Sequence, residues 1–245
     1  MNPEIFGWEH LTFLAIFVVF MILCLVLFKI YAKSRQVQDI IVRSVGLLLF
    51  IFILWNRIAI CISNHDASHI IPDTFCGMSG LVLALAVIFG KRDNNVLHFV
   101  FYFAILGGFI TMIYPDFIGQ SSSIFYSNTI SGLLHHSFSF FLCLLLCVAG
   151  WFHPNIKKWG NVAIGFMAYI TVGAFLMSVF GYDDAFYIMH PILSGTPLTV
   201  WVLIPVFAVL YFGFMGIYEI VRRKIHKPGN DETYSKIQKV LNEKF

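Results

Sequence analysis

Charge in this chain is laid down in blocks between long hydrophobic runs, and fifteen of its sixteen Lys and Arg residues fall in alternate blocks. If the runs cross a membrane, those fifteen lie on one side of it. Cytoplasmic loops carry the Lys/Arg excess, so class and orientation are constrained together. The sixteenth, Arg57, sits inside a hydrophobic run. An ionisable side chain within a span is rare and is a functional-site candidate by default.

The runs number seven, at about 11–30, 45–62, 75–90, 96–114, 128–150, 160–180 and 198–220, the third being the shortest. A helix needs roughly 20 apolar residues to cross the hydrocarbon core. Lys29, Lys33, Arg35 and Arg43 follow the first run, Lys91 and Arg92 the third, Lys157 and Lys158 the fifth. Arg222, Arg223, Lys224, Lys227, Lys236, Lys239 and Lys244 follow the seventh. Loops after the even-numbered runs hold Asp66, Asp73, Asp116, Asp183 and Asp184 instead. Only 12% of residues are charged, against roughly 25% in a soluble domain. The reading is an all-α membrane protein, a seven-transmembrane helical bundle with its N-terminus outside and its C-terminus inside.

Residues 1–224 form one transmembrane domain in this reading and 225–245 a short cytoplasmic tail. The first run is preceded by Glu4 and Glu9 and by no Lys or Arg, unlike the positive flank of a signal peptide. It reads as an N-out anchor. In the tail, Tyr234, Ile237, Val240 and Leu241 would share one helical face. That face fits either a membrane-surface helix or a solvated tail. The net charge of +3 is topogenic, and no nucleic-acid partner is expected.

Of five cysteines, Cys24, Cys143 and Cys147 lie in apolar runs and read as small hydrophobes. Cys76 differs, lying in Pro72-Asp73-Thr74-Phe75-Cys76-Gly77-Met78-Ser79-Gly80 at the outer start of the third run. A disulfide to Cys61, inert packing and a reactive thiol are all open to it. The first requires the two Cα atoms to come within about 7 Å.

The fifth run begins Asn128-Thr129-Ile130-Ser131-Gly132-Leu133-Leu134-His135-His136-Ser137-Phe138-Ser139. At about 100° per residue, Asn128, Ser131, Gly132, His135, His136, Ser139 and Cys143 share one stripe. Polar groups facing lipid are costly, so the stripe should face the protein interior. A thiol reacts as its thiolate, and an imidazole can take its proton, which is the Cys–His logic of covalent acyl transfer. An interhelical hydrogen bond to Ser or Asn is the structural alternative for either His. Depth along the two helices allows Cys76 and His136 to meet in the outer half of the bundle.

Asn56 and Arg57 lie near the outer end of the second run. A guanidinium there can hold a phosphate through two parallel hydrogen bonds, or pair with Asp73, Asp116 or Asp183. The segment Tyr182 to Pro191 is amphipathic and would roof the bundle. Asp183, Asp184 and His190 match no standard metal spacing. No zincin, nucleophile-elbow, Walker or dinucleotide motif is present. Val200 to Ile217 lacks the Lys a retinal Schiff base requires.

These pieces resemble a family. Pro72 four residues before Cys76, then Ser79, Tyr114-Pro115-Asp116, His135-His136, and Phe186-Tyr187 leading to Pro197-Leu198 and Trp201 are similar to the YwaF-type bacterial integral membrane proteins, related to transmembrane protein 164 of animals. The similarity runs from about Gly7 to Tyr218. It implies a multi-pass acyltransferase of the cell membrane, a bacterial plasma membrane, moving a fatty acyl chain onto a lysophospholipid. It implies Cys76 as nucleophile and His136, or its neighbour His135, as the base. Where bacterial members often carry His two residues before the Cys, this chain has Thr74. On this reading phospholipid and lysophospholipid are the partners, with Arg57, Asn56 and Asp183 contacting substrate. No diffusible cofactor is required when the donor is another phospholipid, and no metal is expected. The alternative is a non-enzymatic polytopic protein binding a lipid or small ligand, with Cys76 structural.

Overall fold

The computed structural model describes residues 6–115, 123–193 and 195–225, the last five of them by backbone alone. Asp116 and the proposed tail face of Tyr234, Ile237, Val240 and Leu241 lie outside the described residues. Among the described residues all regular structure is helical: α1 (Trp8–Tyr31), α2 (Arg35–Asn64), α3 (Phe75–Phe89), α4 (Leu97–Ile113), α5 (Ser127–Val148), α6 (Trp159–Phe180) and α7 (Val200–Ile225). Short 3-10 turns lie at Ala67–Ile70 and Ile156–Lys158. Each hydrophobic run is thus a helix.

Five of the seven, α1, α2, α5, α6 and α7, are long and apolar enough to cross a membrane. The remaining two, α3 and α4, have only 15 and 17 residues. At about 1.5 Å per residue they reach roughly 22 and 26 Å, short of the ~30 Å hydrocarbon core. Both are largely packed against protein, with 8 of the 15 residues of α3 and 12 of the 17 of α4 buried. Backbone ending at membrane depth is tolerated where protein surrounds it.

Local chemistry sets the helix ends. Ser34 Oγ accepts the Val37 N–H at 3.2 Å, and Thr74 Oγ1 accepts the Gly77 N–H at 3.2 Å, each a standard N-cap. Thr74 therefore caps α3 two residues before Cys76. Gly181 closes α6 in the left-handed conformation at φ 71°.

The chain divides into two units, residues 1–202 and 203–245. In the first, α5 is the central helix, with 14 of its 22 residues buried. Its polar stripe faces inward, but much of the opposite side is buried too, because α1 and α2 lie across it. Phe138 meets Phe17 edge-on at 5.5 Å and Phe52 at 4.8 Å. On the other side α4 approaches α5 at Gly108, where an added Cβ would lie 2.6 Å from His136 O and 2.9 Å from Phe140 N. Many of the Phe residues serve such internal seams rather than lipid, α6 meeting α4 through Phe166, Tyr169, Phe99 and Phe103. The described part of the second unit continues α7, with Pro205 inside the helix.

One end of the first unit gathers the basic residues. Arg43 donates to Ile88 O and, at 3.1 Å, to Gly90 O. Arg92 pairs with Asp39. Both guanidinium groups lie over the buried Trp151 ring, at 5.6 and 5.0 Å. Asp93 accepts from Lys158 Nζ at 3.1 Å and from the His153 N–H at 3.2 Å, and it meets His98 Nε2 at 3.0 Å. Partial burial raises the Asp93 pKa, but these hydrogen bonds and the charges of His98 and Lys158 outweigh it and hold the carboxyl below its usual value.

Two predictions follow from this packing. Gly108→Ala should lower Tm in detergent, because overpacking against fixed backbone costs about 1–3 kcal/mol and exceeds the roughly 1 kcal/mol propensity gain of Ala over Gly. Gly160→Ala, with open space at its Cβ, should hold or raise Tm. A depressed carboxylate contributes stability above its unfolded pKa, near 3.9, and loses it as pH falls through the folded value. Between pH 7 and pH 3 the wild type should therefore lose more Tm than Asp93→Asn.

Candidate functional site

Cys76 is the second residue of α3 and half-buried. Its side chain lies against α4 at Gly107, where an added Cβ would sit 2.6 Å from Cys76 Sγ. The next residue, Gly108, takes the main chain of His136 on α5. One turn further along α3, Gly80 faces Ser139 Oγ, with His135 Cδ2 beyond it, at 3.2 and 3.8 Å from an added Cβ. Three glycines therefore let α3, α4 and α5 pack closely where Cys76 and the two histidines lie, with direct approach to backbone at Gly108.

The imidazoles of His135 and His136 lie against each other, ring centroids 3.9 Å apart, and both are buried. Both ring nitrogens of His135 are buried with no hydrogen-bond partner. Among the described residues no hydrogen bond joins Cys76 to either imidazole, and all five cysteines, Cys61 and Cys76 included, are free. The Cys61–Cys76 disulfide left open by the sequence is absent.

Asn56 is buried and ties α2 to the start of α5. Its Nδ2 donates to Asn128 O at 3.3 Å and to Ser131 Oγ at 3.1 Å. Its Oδ1 accepts from Arg57 Nη2 at 3.1 Å. Arg57 also meets Asp73 at 3.8 Å, with side chains 11% and 23% exposed. Of the carboxylates that sequence alone offered it, Asp73 is the partner among the described residues. Arg57 is within electrostatic reach of both imidazoles as well.

Asp73 connects this floor to a cap. His69 Nδ1 lies 3.8 Å from its second oxygen, and its main-chain O accepts the Phe186 N–H at 2.7 Å. Tyr182 donates to Ser68 O and Ile71 O. Burial and the nearby Asp73 push the Tyr182 phenol above its usual value. Asp183 is exposed, while Asp184 accepts the N–H groups of Met189 and His190 at 3.1 and 3.0 Å. Among the described residues no group of three His, Cys, Asp or Glu could hold a metal.

Several neighbours of Cys76 were not singled out from sequence as site residues. Tyr169 hydrogen-bonds Ser79 Oγ at 2.8 Å, and Phe186 stacks on Tyr169 at 5.2 Å with an 11° interplanar angle. Tyr187 packs 6.2 Å from Phe75. Burial first, then Cys76, Asp73 and Asp184, push its phenol up, so it stays a hydrogen-bond donor. Gly107-Gly108 carried a usable signal, since adjacent small residues in an apolar run mark close helix contact. On the other side of α5, two apolar grooves of about 370 and 400 Å³ run beside α1, both reaching Phe20 and Phe138.

The Arg57–Asp73 pair can be tested directly. Removing one partner of a fully buried pair costs about 3–5 kcal/mol, because the other charge is left uncompensated; this partly exposed pair should cost less. Asp73→Asn should lower Tm, and the double variant Arg57→Met/Asp73→Asn should recover part of the loss.

A family model described as the TMEM164 family matches residues 5–221. No curated protein and no solved structure matches the chain.

Proposed function

Since the chain belongs to the TMEM164 family and has multi-pass helical membrane character, we propose that it is a membrane-embedded acyltransferase moving a fatty acyl chain between phospholipids, as in the YwaF-type branch it resembles. The basic end faces the cytoplasm by the Lys/Arg rule, and all seven helices lie in the membrane. Cys76 then opens toward the opposite leaflet, in a bacterial plasma membrane.

The observation carrying this reading is the Gly107-Gly108 pair, which seats Cys76 on one glycine and the His136 main chain on the next. A half-buried thiol and a pair of buried imidazoles on neighbouring helices suit covalent acyl transfer. In the first step Cys76 sulfur attacks the ester carbonyl of a donor phospholipid, and His136 takes the thiol proton. The C–O bond breaks, and the proton passes to the departing lysophospholipid oxygen. In the second step an acceptor hydroxyl gives its proton to the same His, attacks the thioester, and the proton returns to sulfur. Catalytic hydrogen bonds often tighten only once substrate is bound, so the resting Cys76 need not bond His136. Arg57, freed from Asp73, holds the phosphate with Asn56 positioning it. Asp183, exposed on the cap, meets the headgroup. An acyl-CoA donor would lie on the wrong side.

The two apolar grooves along α1 favour a second reading, a lipid-binding protein without chemistry. The two are separated by labelling the protein in nanodiscs with an acyl-mimetic thiol-reactive probe. Acyl transfer predicts that Cys76→Ala abolishes labelling, and that His136→Ala slows it by about 10²-fold, the usual scale of a general base. His135→Ala should slow it less. Equal labelling of wild type, Cys76→Ala and His136→Ala sinks the acyltransferase and leaves the binding protein.

A further inference from the structure

Phe186 and Tyr187 are two consecutive bulky aromatic residues in the left-handed region, at φ 55° and 59°. Such residues are outliers there, and the strain persists only where surrounding structure imposes it. Here the imposition is explicit. The Phe186 N–H is held by Asp73 O at 2.7 Å, and Tyr187 O accepts the Val200 N–H at 2.7 Å. Phe186 is fully buried against Tyr169 and Phe75. Gly173 makes room for it, since an added Cβ there would lie 2.8 Å from the Phe186 ring. Strain of this kind clusters at active sites, where it aims a side chain.

The side chain aimed by this kink is Tyr187. Its ring packs at a tilt, 6.2 Å from that of Phe75, the residue before Cys76, and its phenol is in electrostatic reach of Cys76 itself. A largely enclosed tyrosine usually finds a hydrogen-bond partner. Among the described residues the Tyr187 hydroxyl has none. Tyr169, the other phenol near Cys76, is already bonded to Ser79. One free donor therefore lies against the residue that precedes Cys76.

Resting on the acyl-transfer reading above, we propose that Tyr187 is a further catalytic residue whose phenol O–H hydrogen-bonds the acyl carbonyl oxygen as it becomes the tetrahedral oxyanion at Cys76. The C–S bond forms as the carbonyl π electrons move onto oxygen. Tyr187 keeps its proton throughout and shares it with that oxygen. The C=O bond then reforms as the alkoxide departs with the proton held by His136. Donors placed where charge develops act on this step and leave the resting thiol unchanged.

The test uses full-length protein in nanodiscs and two reagents, each read at Cys76 by peptide mass spectrometry. Iodoacetamide alkylates sulfur by displacement at a saturated carbon, with no oxyanion. The ester p-nitrophenyl octanoate acylates it through one. Tyr187→Phe should alkylate at a rate within twofold of wild type and acylate about 10²-fold more slowly, the scale of one lost oxyanion donor. Tyr169→Phe should show no such selectivity. Acylation of Tyr187→Phe at the wild-type rate overturns the proposal and leaves acyl transfer at Cys76 standing. Equal slowing of both reactions overturns it as well, since Tyr187 would then only place the thiol. Wild type that alkylates but never acylates at Cys76 removes the acyl-transfer reading, and this inference with it.

Discussion

Close approach of three helices at glycine is the constraint on which the site depends. A Cβ at Gly107 would collide with the Cys76 sulfur, and one at Gly108 with the α5 backbone. Removing two methyl groups from α4 therefore sets the spacing of α3, α4 and α5 together. In lipid, helices gain little from excluding hydrocarbon, so contact through small residues and interhelical polar pairs decides association. The same contact explains how helices as short as α3 and α4 survive. The start of α3 and most of α4 are buried among neighbouring helices, while Phe89 at the end of α3 and Phe109 and Ile110 late in α4 stay exposed.

On that scaffold a polar network runs from the core to the cap. Asn128 and Ser131 on α5 hold Asn56, Asn56 holds Arg57, and Arg57 meets Asp73. Asp73 then pins the strained Phe186-Tyr187 kink through its main-chain oxygen. Asp73 lies three residues before Cys76, so the network fixes the start of α3 as well. A charge within a span and a bent loop far along the chain thus belong to one structure. The Phe75, Phe186 and Tyr169 rings fill the space between them.

Much of the helical layout was legible. Seven apolar runs became seven helices, because a run of that length has to satisfy its backbone internally; α2, however, starts at Arg35, ten residues before its run at 45–62. The α5 stripe was legible in its polar part, and the structure buries His135, His136 and Ser139. Its Leu and Phe side is buried too, which periodicity had no means of showing, since an apolar face meets protein or lipid equally well. Arg57 stood out at once, but four different contacts were open to it. Among the described residues, the folding of the segment around Asp73 supplies one of them. Tyr187 was visible as part of an aromatic motif, yet its aim depends on φ angles set by hydrogen bonds from Asp73 and Val200, more than ten residues away on either side.

By itself, then, the sequence determined the all-helical class, the positions of the helices and the clustering of basic residues, because hydrophobic length and charge placement act locally and additively. Only the tertiary structure decided that α3 and α4 are too short to span the core alone, that Cys76 is free, that Asp73 meets Arg57, and that Tyr187 packs against the residue before Cys76. Each of those depends on which segments come within van der Waals reach, as α3, α4 and α5 do at Gly107 and Gly108, a property of contacts between elements rather than within any one of them.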